Sequence, residues 1–159
     1  MWLRTLLGAA ALGGLAVAAH AGEGKIEYPE GYRNWSHVKS MVLLEGHALA
    51  KPFQGIHHLY ANPKALAGYR SGDWRDGAVI VFDLLNYAEG GDALQEGDRK
   101  LVGVMVKDGA RYKETGGWGY EGFAGDSKTK RLVNDMTAQC HGCHAGQEKT
   151  GFVFSSLRK

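Results

Sequence analysis

Near its C-terminal end the chain reads Cys140-His141-Gly142-Cys143-His144, a C-x-x-C-H motif. This spacing commits the end of the chain to a helical segment built around a cofactor. Two thiols three residues apart reach the two vinyl groups on one edge of a porphyrin and form thioethers, and the next residue, His144, lies beneath the iron and offers an imidazole nitrogen. The motif therefore points to one haem c, held by Cys140 and Cys143, with His144 as the metal ligand. The chain has only these two cysteines, so none is left for a disulfide or a thiol nucleophile. Two other uses of C-x-x-C lack their partners here. A zinc site needs two further ligands, and neither a second C-x-x-C nor an H-x3-5-H cluster is present. A redox dithiol belongs after a strand in a βαβ unit, and nothing here alternates that way.

The opposite end supports the same chemistry independently. Residues 1–21 read as a secretory signal peptide: Arg4 supplies the positive start, Leu6 to Ala19 is uncharged, and Ala19-His20-Ala21 is a small-x-small cleavage site before Gly22. As a retained anchor the stretch is short, and Gly8, Gly13 and Gly14 dilute it. Attachment of c-type haem in bacteria takes place outside the cytoplasm, so export and motif agree. The expectation is a periplasmic protein with no membrane segment after cleavage. Residues 22–159 are enough for a single haem domain with a real core. The nineteen Lys and Arg against seventeen Asp and Glu form no basic block, which argues against nucleic acid as a partner. Twenty-four glycines and three prolines favour strands and tight turns over a helical bundle.

Along the chain, Tyr32, Trp35 and Val38 are spaced for one face of a helix, and Met41 to Leu44 reads as a strand. A connection from Gly46 to Pro52 follows, and Phe53 to Tyr60 alternates, with Phe53, Gly55, His57 and Leu59 on one side. Asn62-Pro63 is a helix start, Lys64 to Arg70 makes two turns, and Gly72 closes them. After an Asp76-Gly77 turn comes the strongest strand signal, Ala78 to Leu85, with Ala78, Ile80, Phe82 and Leu84 sharing a face. Glu89 to Gly97 reads as a loop, Leu101 to Val106 as a strand, and Trp118, Tyr120 and Phe123 as a short twisted strand. Asp126 is a candidate helix cap, Met136 to His144 a helix, and Phe152 to Phe154 a last strand. The predicted fold is mainly β (α+β), an antiparallel sheet of about five strands with a few short helices.

The position of the motif separates haem-protein classes. Small electron-transfer cytochromes c carry it near the N-terminus with a distal Met downstream, whereas here no Met follows His144. The four-helix cytochromes c′ carry it C-terminally but need long amphipathic helices that this chain lacks. The chain resembles the cytochrome P-460 family, whose members are β-rich and dimeric with C-x-x-C-H at the C-terminal end. The resemblance is carried by Tyr28 to Trp35, Phe53 to Pro63, Gly72 to Val79 and Cys140 to His144, in that order. In hydroxylamine-oxidising members a Lys after Arg-Asp-Gly-Ala is bonded to the haem. Here that position is Phe82, and Lys64 and Lys100 lie outside the strand. The chain is therefore similar to the branch without the cross-link, cytochrome c′-beta. That resemblance implies a homodimer, and it implies that Phe53 and Phe82 cap the distal face of the haem.

Under such a cap the sixth position is open and has no hydrogen-bond donor. Bound dioxygen wants a donor, whereas nitric oxide and carbon monoxide tolerate an all-carbon pocket. The expected partners are therefore nitric oxide or carbon monoxide, with an unidentified redox partner, and the expected role is scavenging, carriage or sensing, with no catalytic residue assigned. An oxidoreductase acting on hydroxylamine or nitric oxide, and a simple electron-transfer cytochrome, are the alternatives. His37, His47, His57 and His58 are further candidate ligands that no spacing ties to the motif, though His57 shares a strand face with Phe53. Met41 and Met105 read as core, Met136 as proximal, and His141 as a solvent-facing spacer. Arg70, Arg75 and Arg111 are candidates for the haem propionates.

Overall fold

A computed structural model describes residues 24–159. The signal-peptide expectation for residues 1–21, and Gly22 with it, lies outside the described residues. Five antiparallel strands run in the order β1-β2-β3-β4-β5 as a simple meander: β1 (Ser36–Leu43), β2 (Gly55–Ala61), β3 (Val79–Gly90), β4 (Ala93–Lys107) and β5 (Trp118–Ala124). The predicted mainly-β architecture is thus present. No helix among the described residues is long and apolar enough to cross a membrane.

Register assigns the two faces. β3 pairs with β2 through Ile80↔Ala61, Phe82↔Leu59 and Leu84↔His57, and with β4 through Ile80↔Met105, Phe82↔Gly103 and Leu84↔Leu101. β4 passes the row on to β5 through Met105↔Tyr120 and Gly103↔Gly122. Alternation then puts His57, Leu59, Phe82, Gly103, Gly122 and Tyr120 on a front face and Val81, Asp83, Val102, Val104 and Phe123 on the back. The back closes under the N-terminal segment, where Ile26 and Tyr32 join Val81, Val102, Val104 and Phe123 in one buried cluster.

One end of the front carries a second buried cluster. Helix α2 (Pro63–Ser71) brings Ala65, and the C-terminal segment brings Val153 and the flank of Cys140, against Val38, Ala61, Ile80, Trp118 and Tyr120. The start of α2 follows from its sequence: the Asn62 side chain accepts from the Ala65 N–H at 2.8 Å, Pro63 sits where no N–H is needed, and Gly72 ends the helix at φ 78°.

Six local expectations are corrected. Tyr32 to Asn34 makes one 3-10 turn, and the chain enters β1 at Ser36, so Trp35 and Val38 do not lie on a helix. Phe53 ends a single helical turn, α1 (Ala50–Phe53), and does not begin β2. The supposed loop from Glu89 to Gly97 is a two-stranded ribbon closed by Gly91 and Asp92, both at positive φ. Asp126 caps no helix; its carboxylate takes the Arg99 guanidinium. Phe152 to Phe154 is not a strand, because Phe152 sits at φ 67°. Met41, expected in the core, is about half exposed on the edge strand.

Candidate functional site

The C-x-x-C-H residues run through a continuous helical stretch. Thr137–His141 forms a π turn, and Gly142–His144 forms the short helix α3. The winding begins where Gln139 Oε1 accepts from the Asn134 and Asp135 N–H groups and Asp135 Oδ1 accepts from the Ala138 N–H. Cys140 and Cys143 form no disulfide with each other. Cys140 lies half-buried against the front-face cluster and Cys143 is exposed. Burial, with Glu121 and Cys143 adding to it, pushes the Cys140 thiol up to about 11, so it is a poor thiolate nucleophile by itself.

His144 is held more specifically. Its Nδ1 lies 2.7 Å from the Phe152 carbonyl oxygen. A carbonyl can only accept, so Nδ1 carries the proton and Nε2 keeps its lone pair. Burial lowers the His144 pKa, which favours the neutral ring; the Phe152 bond opposes that shift and does not reverse it. The ring packs against Tyr120 at 4.8 Å and Phe154 at 4.9 Å.

The loop that carries this carbonyl is pinned at several points. Trp74 Nε1 donates to the Thr150 carbonyl at 3.2 Å, Trp118 Nε1 to the Gly151 carbonyl at 2.9 Å, and Thr150 Oγ1 to the Val153 carbonyl at 2.8 Å. Gly151 turns at φ 70° so close to Trp74 that a Cβ would fall 2.3 Å from the indole. Phe152 follows it into the left-handed region, a costly place for a bulky residue. Sequence reading missed this support. The only signal for it was the pair of tryptophans and Thr150-Gly151, whose meaning depends on tertiary contact.

On the front face Phe53 and Phe82 meet edge to face with ring centroids 5.7 Å apart, and both are half-buried. The structure therefore brings these two residues together. Next to Phe82 in the same row stands Gly103, which adds no side chain there, while Gly122 beyond it is buried beneath Leu132 and Val133. Leu59, Leu101 and Met105 border the row and are also half-buried. His57 joins this face with its ring 4.6 Å from Phe82.

The other expected histidines lie elsewhere. His37 and His58 meet through Ser40 Oγ, at 2.9 and 2.7 Å, and His58 Nε2 is 2.5 Å from Glu96, all away from the front face. His47 accepts from the Leu49 N–H. His141 is not the solvent-facing spacer expected. It is half-buried, with its ring 5.5 Å from Phe152 and 6.2 Å from Tyr120. Met136 Sδ accepts from the Tyr120 N–H. Arg75 pairs with Asp73, and Arg111 lies over the Tyr112 ring.

Orphaned atoms test whether this face suits a large planar cofactor. Three buried side-chain polar atoms among the described residues lack a hydrogen-bond partner: His57 Nδ1, Tyr120 Oη and His141 Nδ1. All three belong to the front face or to the motif. Buried polar groups are ordinarily paired, so such atoms mark where missing partners belong. Half-buried aromatics and an imidazole with a free Nε2 fit a haem. No group of three or more His, Cys, Asp and Glu among the described residues is arranged to hold a bare metal ion.

No curated protein matches the chain. The family description Cytochrome P460 matches residues 29–155, which takes in the whole sheet, the aromatic row and the motif. The chain belongs to the cytochrome P460 family and is a haem-binding cytochrome.

Proposed function

We propose that this is an exported mono-haem c-type cytochrome of the cytochrome c′-beta kind that binds nitric oxide or carbon monoxide. Cys140 and Cys143 would form the two thioethers, His144 Nε2 would ligate the iron, and Phe53 and Phe82 would cover the opposite side. Haem supplies an iron centre that takes a diatomic ligand; the protein decides which ligand and how tightly. The single observation that carries this reading is the hydrogen bond from His144 Nδ1 to the Phe152 carbonyl. It fixes the tautomer and ring orientation that an axial ligand needs, and it raises the basicity of Nε2.

On the other side, phenyl rings exclude water and offer no strong donor. This favours ligands that stay nearly apolar when bound. No lysine stands where the cross-linked relatives have theirs: Phe82 occupies the position, Lys100 Nζ donates to the Gln54 carbonyl, and Lys64 Nζ donates to the Asp76 carbonyl. A hydroxylamine oxidase with a lysine–haem bond is therefore the weaker reading.

The decisive experiment is mass spectrometry and absorption spectroscopy of the exported protein. The expected mass is that of the chain from Gly22 plus one haem, and the ferric spectrum should be high-spin. A haem-free product overturns the whole reading. A low-spin ferric spectrum makes the protein an electron carrier. A long-wavelength-shifted Soret band in the reduced form restores the oxidase reading.

A further inference from the structure

We propose that His57 is a specificity-determining residue of the ligand pocket, with its ring N–H as a strong hydrogen-bond donor available to a diatomic ligand beside Phe82. The proposal rests on the reading of the front face as the distal side of the haem, and it changes the chemistry of that side from donor-free to singly polar.

Strand register places His57 in the row next to Phe82, opposite Leu84 on β3. Phe53, Phe82 and His57 form a continuous file, with successive ring centroids 5.7 and 4.6 Å apart. His57 is 8% exposed, and its Nδ1 is enclosed without a partner. A leucine or phenylalanine would fill such a site with no unpaired polar atom, so an imidazole there is unfavourable for folding alone. The neighbouring histidine shows the contrast. His58 points to the back, where Ser40 and Glu96 engage both of its nitrogens. Of this adjacent pair, alternation sends the partnered ring to the solvent side and the unpartnered ring to the pocket.

Burial, with a smaller contribution from His58, lowers the His57 pKa to about 4. At neutral pH the ring is thus uncharged, with one donor and one acceptor. A neutral donor suits a ligand whose outer atom gains partial negative charge on binding, and it brings no net charge into an apolar cap.

The test uses the full holoprotein with carbon monoxide as the probe. The C–O stretching frequency and the dissociation rate are measured on the reduced wild type, on His57→Phe, and on His57→Leu and His57→Gln. Loss of the donor should move the stretch to higher wavenumber in the Phe and Leu variants. It should also speed carbon monoxide release about fivefold, the fold-change of one ordinary hydrogen bond. His57→Gln retains a donor and should stay closer to wild type. If His57→Phe fails to accumulate, the Leu and Gln variants must still separate in that sense. Equal frequencies and rates across the series overturn the proposal and leave His57 a packing residue. A wild type that carries no haem, or that takes up no carbon monoxide when reduced, fails at the earlier step and overturns the parent reading instead.

Discussion

At Phe82 two roles can be told apart by experiment, because one ring is asked both to pack and to obstruct. Its contacts are aromatic, with Phe53 at 5.7 Å and His57 at 4.6 Å, and its neighbour across the strand is a glycine. As a steric cover it raises the cost of seating any ligand beneath it. Phe82→Ala should therefore bind carbon monoxide more tightly and autoxidise faster as water enters. The same change removes buried carbon, which for Phe→Ala costs about 3–5 kcal/mol in a packed core. Phe82 is only half-buried, so about 3 kcal/mol is the expected loss. Carbon monoxide titration and thermal unfolding of one preparation decide the matter. Lower stability with unchanged affinity would make Phe82 an ordinary packing residue.

Among the elements, the Phe82–Gly103 pair is where the sheet makes room, and a side chain at Gly103 tests that reading. Gly103 has no left-handed backbone, and a Cβ would meet Phe82 at 3.4 Å, so the backbone there accepts a β-carbon. Gly103→Val should leave the sheet folded, seen by circular dichroism, while lowering the fraction of exported chain that carries haem; full haem occupancy would show that the pair plays no part in seating it. The same elements show what sequence could disclose. Helix α2 was legible because its signals are local: Asn62, Pro63 and Gly72 each act within one turn. Strand β3 was legible in its first half because Ile80, Phe82 and Leu84 keep one face apolar. The ribbon from Glu89 to Gly97 was not, since both of its sides meet water and give alternation nothing to sort. Phe152 misled for the opposite reason. Its apolar neighbours suggest a strand, but tertiary pins on Thr150 and Gly151 force it to φ 67° and aim its carbonyl at His144. The motif itself was legible from spacing, whereas the backbone acceptor that orients its histidine was not.

The molecule as a whole is tied together behind the site, at Asp83. This carboxylate is fully buried on β3 and accepts from Tyr32 Oη at 2.7 Å, Arg33 Nη2 at 2.9 Å and Arg99 Nε at 2.7 Å. Arg99 also reaches Asp126, so one cluster joins the N-terminal turn, β3, β4 and the chain after β5. Burial alone would raise the Asp83 pKa. The hydrogen bonds from Arg99, Tyr32 and Arg33 outweigh it, and the carboxyl is held below its ordinary value. A depressed folded value means that the unfolded chain binds the proton more readily. The stabilisation is therefore complete at neutral pH, begins to fade below about pH 3.9, and is lost as pH drops through the lower folded value. Asp83→Asn removes the charge while leaving the arginines and Tyr32 in place, and breaking a buried pair from one side costs about 3–5 kcal/mol. Arg33 is half exposed and recovers water, so the lower end of that range applies. Urea unfolding of the holoprotein at pH 7 should show this loss. Between pH 4 and pH 2 the wild type should lose stability more steeply than the variant, because only the wild type has this carboxylate to protonate. Carbon monoxide affinity should not change, since Asp83 points away from the aromatic row. Parallel acid limbs in the two proteins would mean that the cluster contributes packing rather than charge, and an altered affinity would mean that the back of the sheet is coupled to the pocket in front.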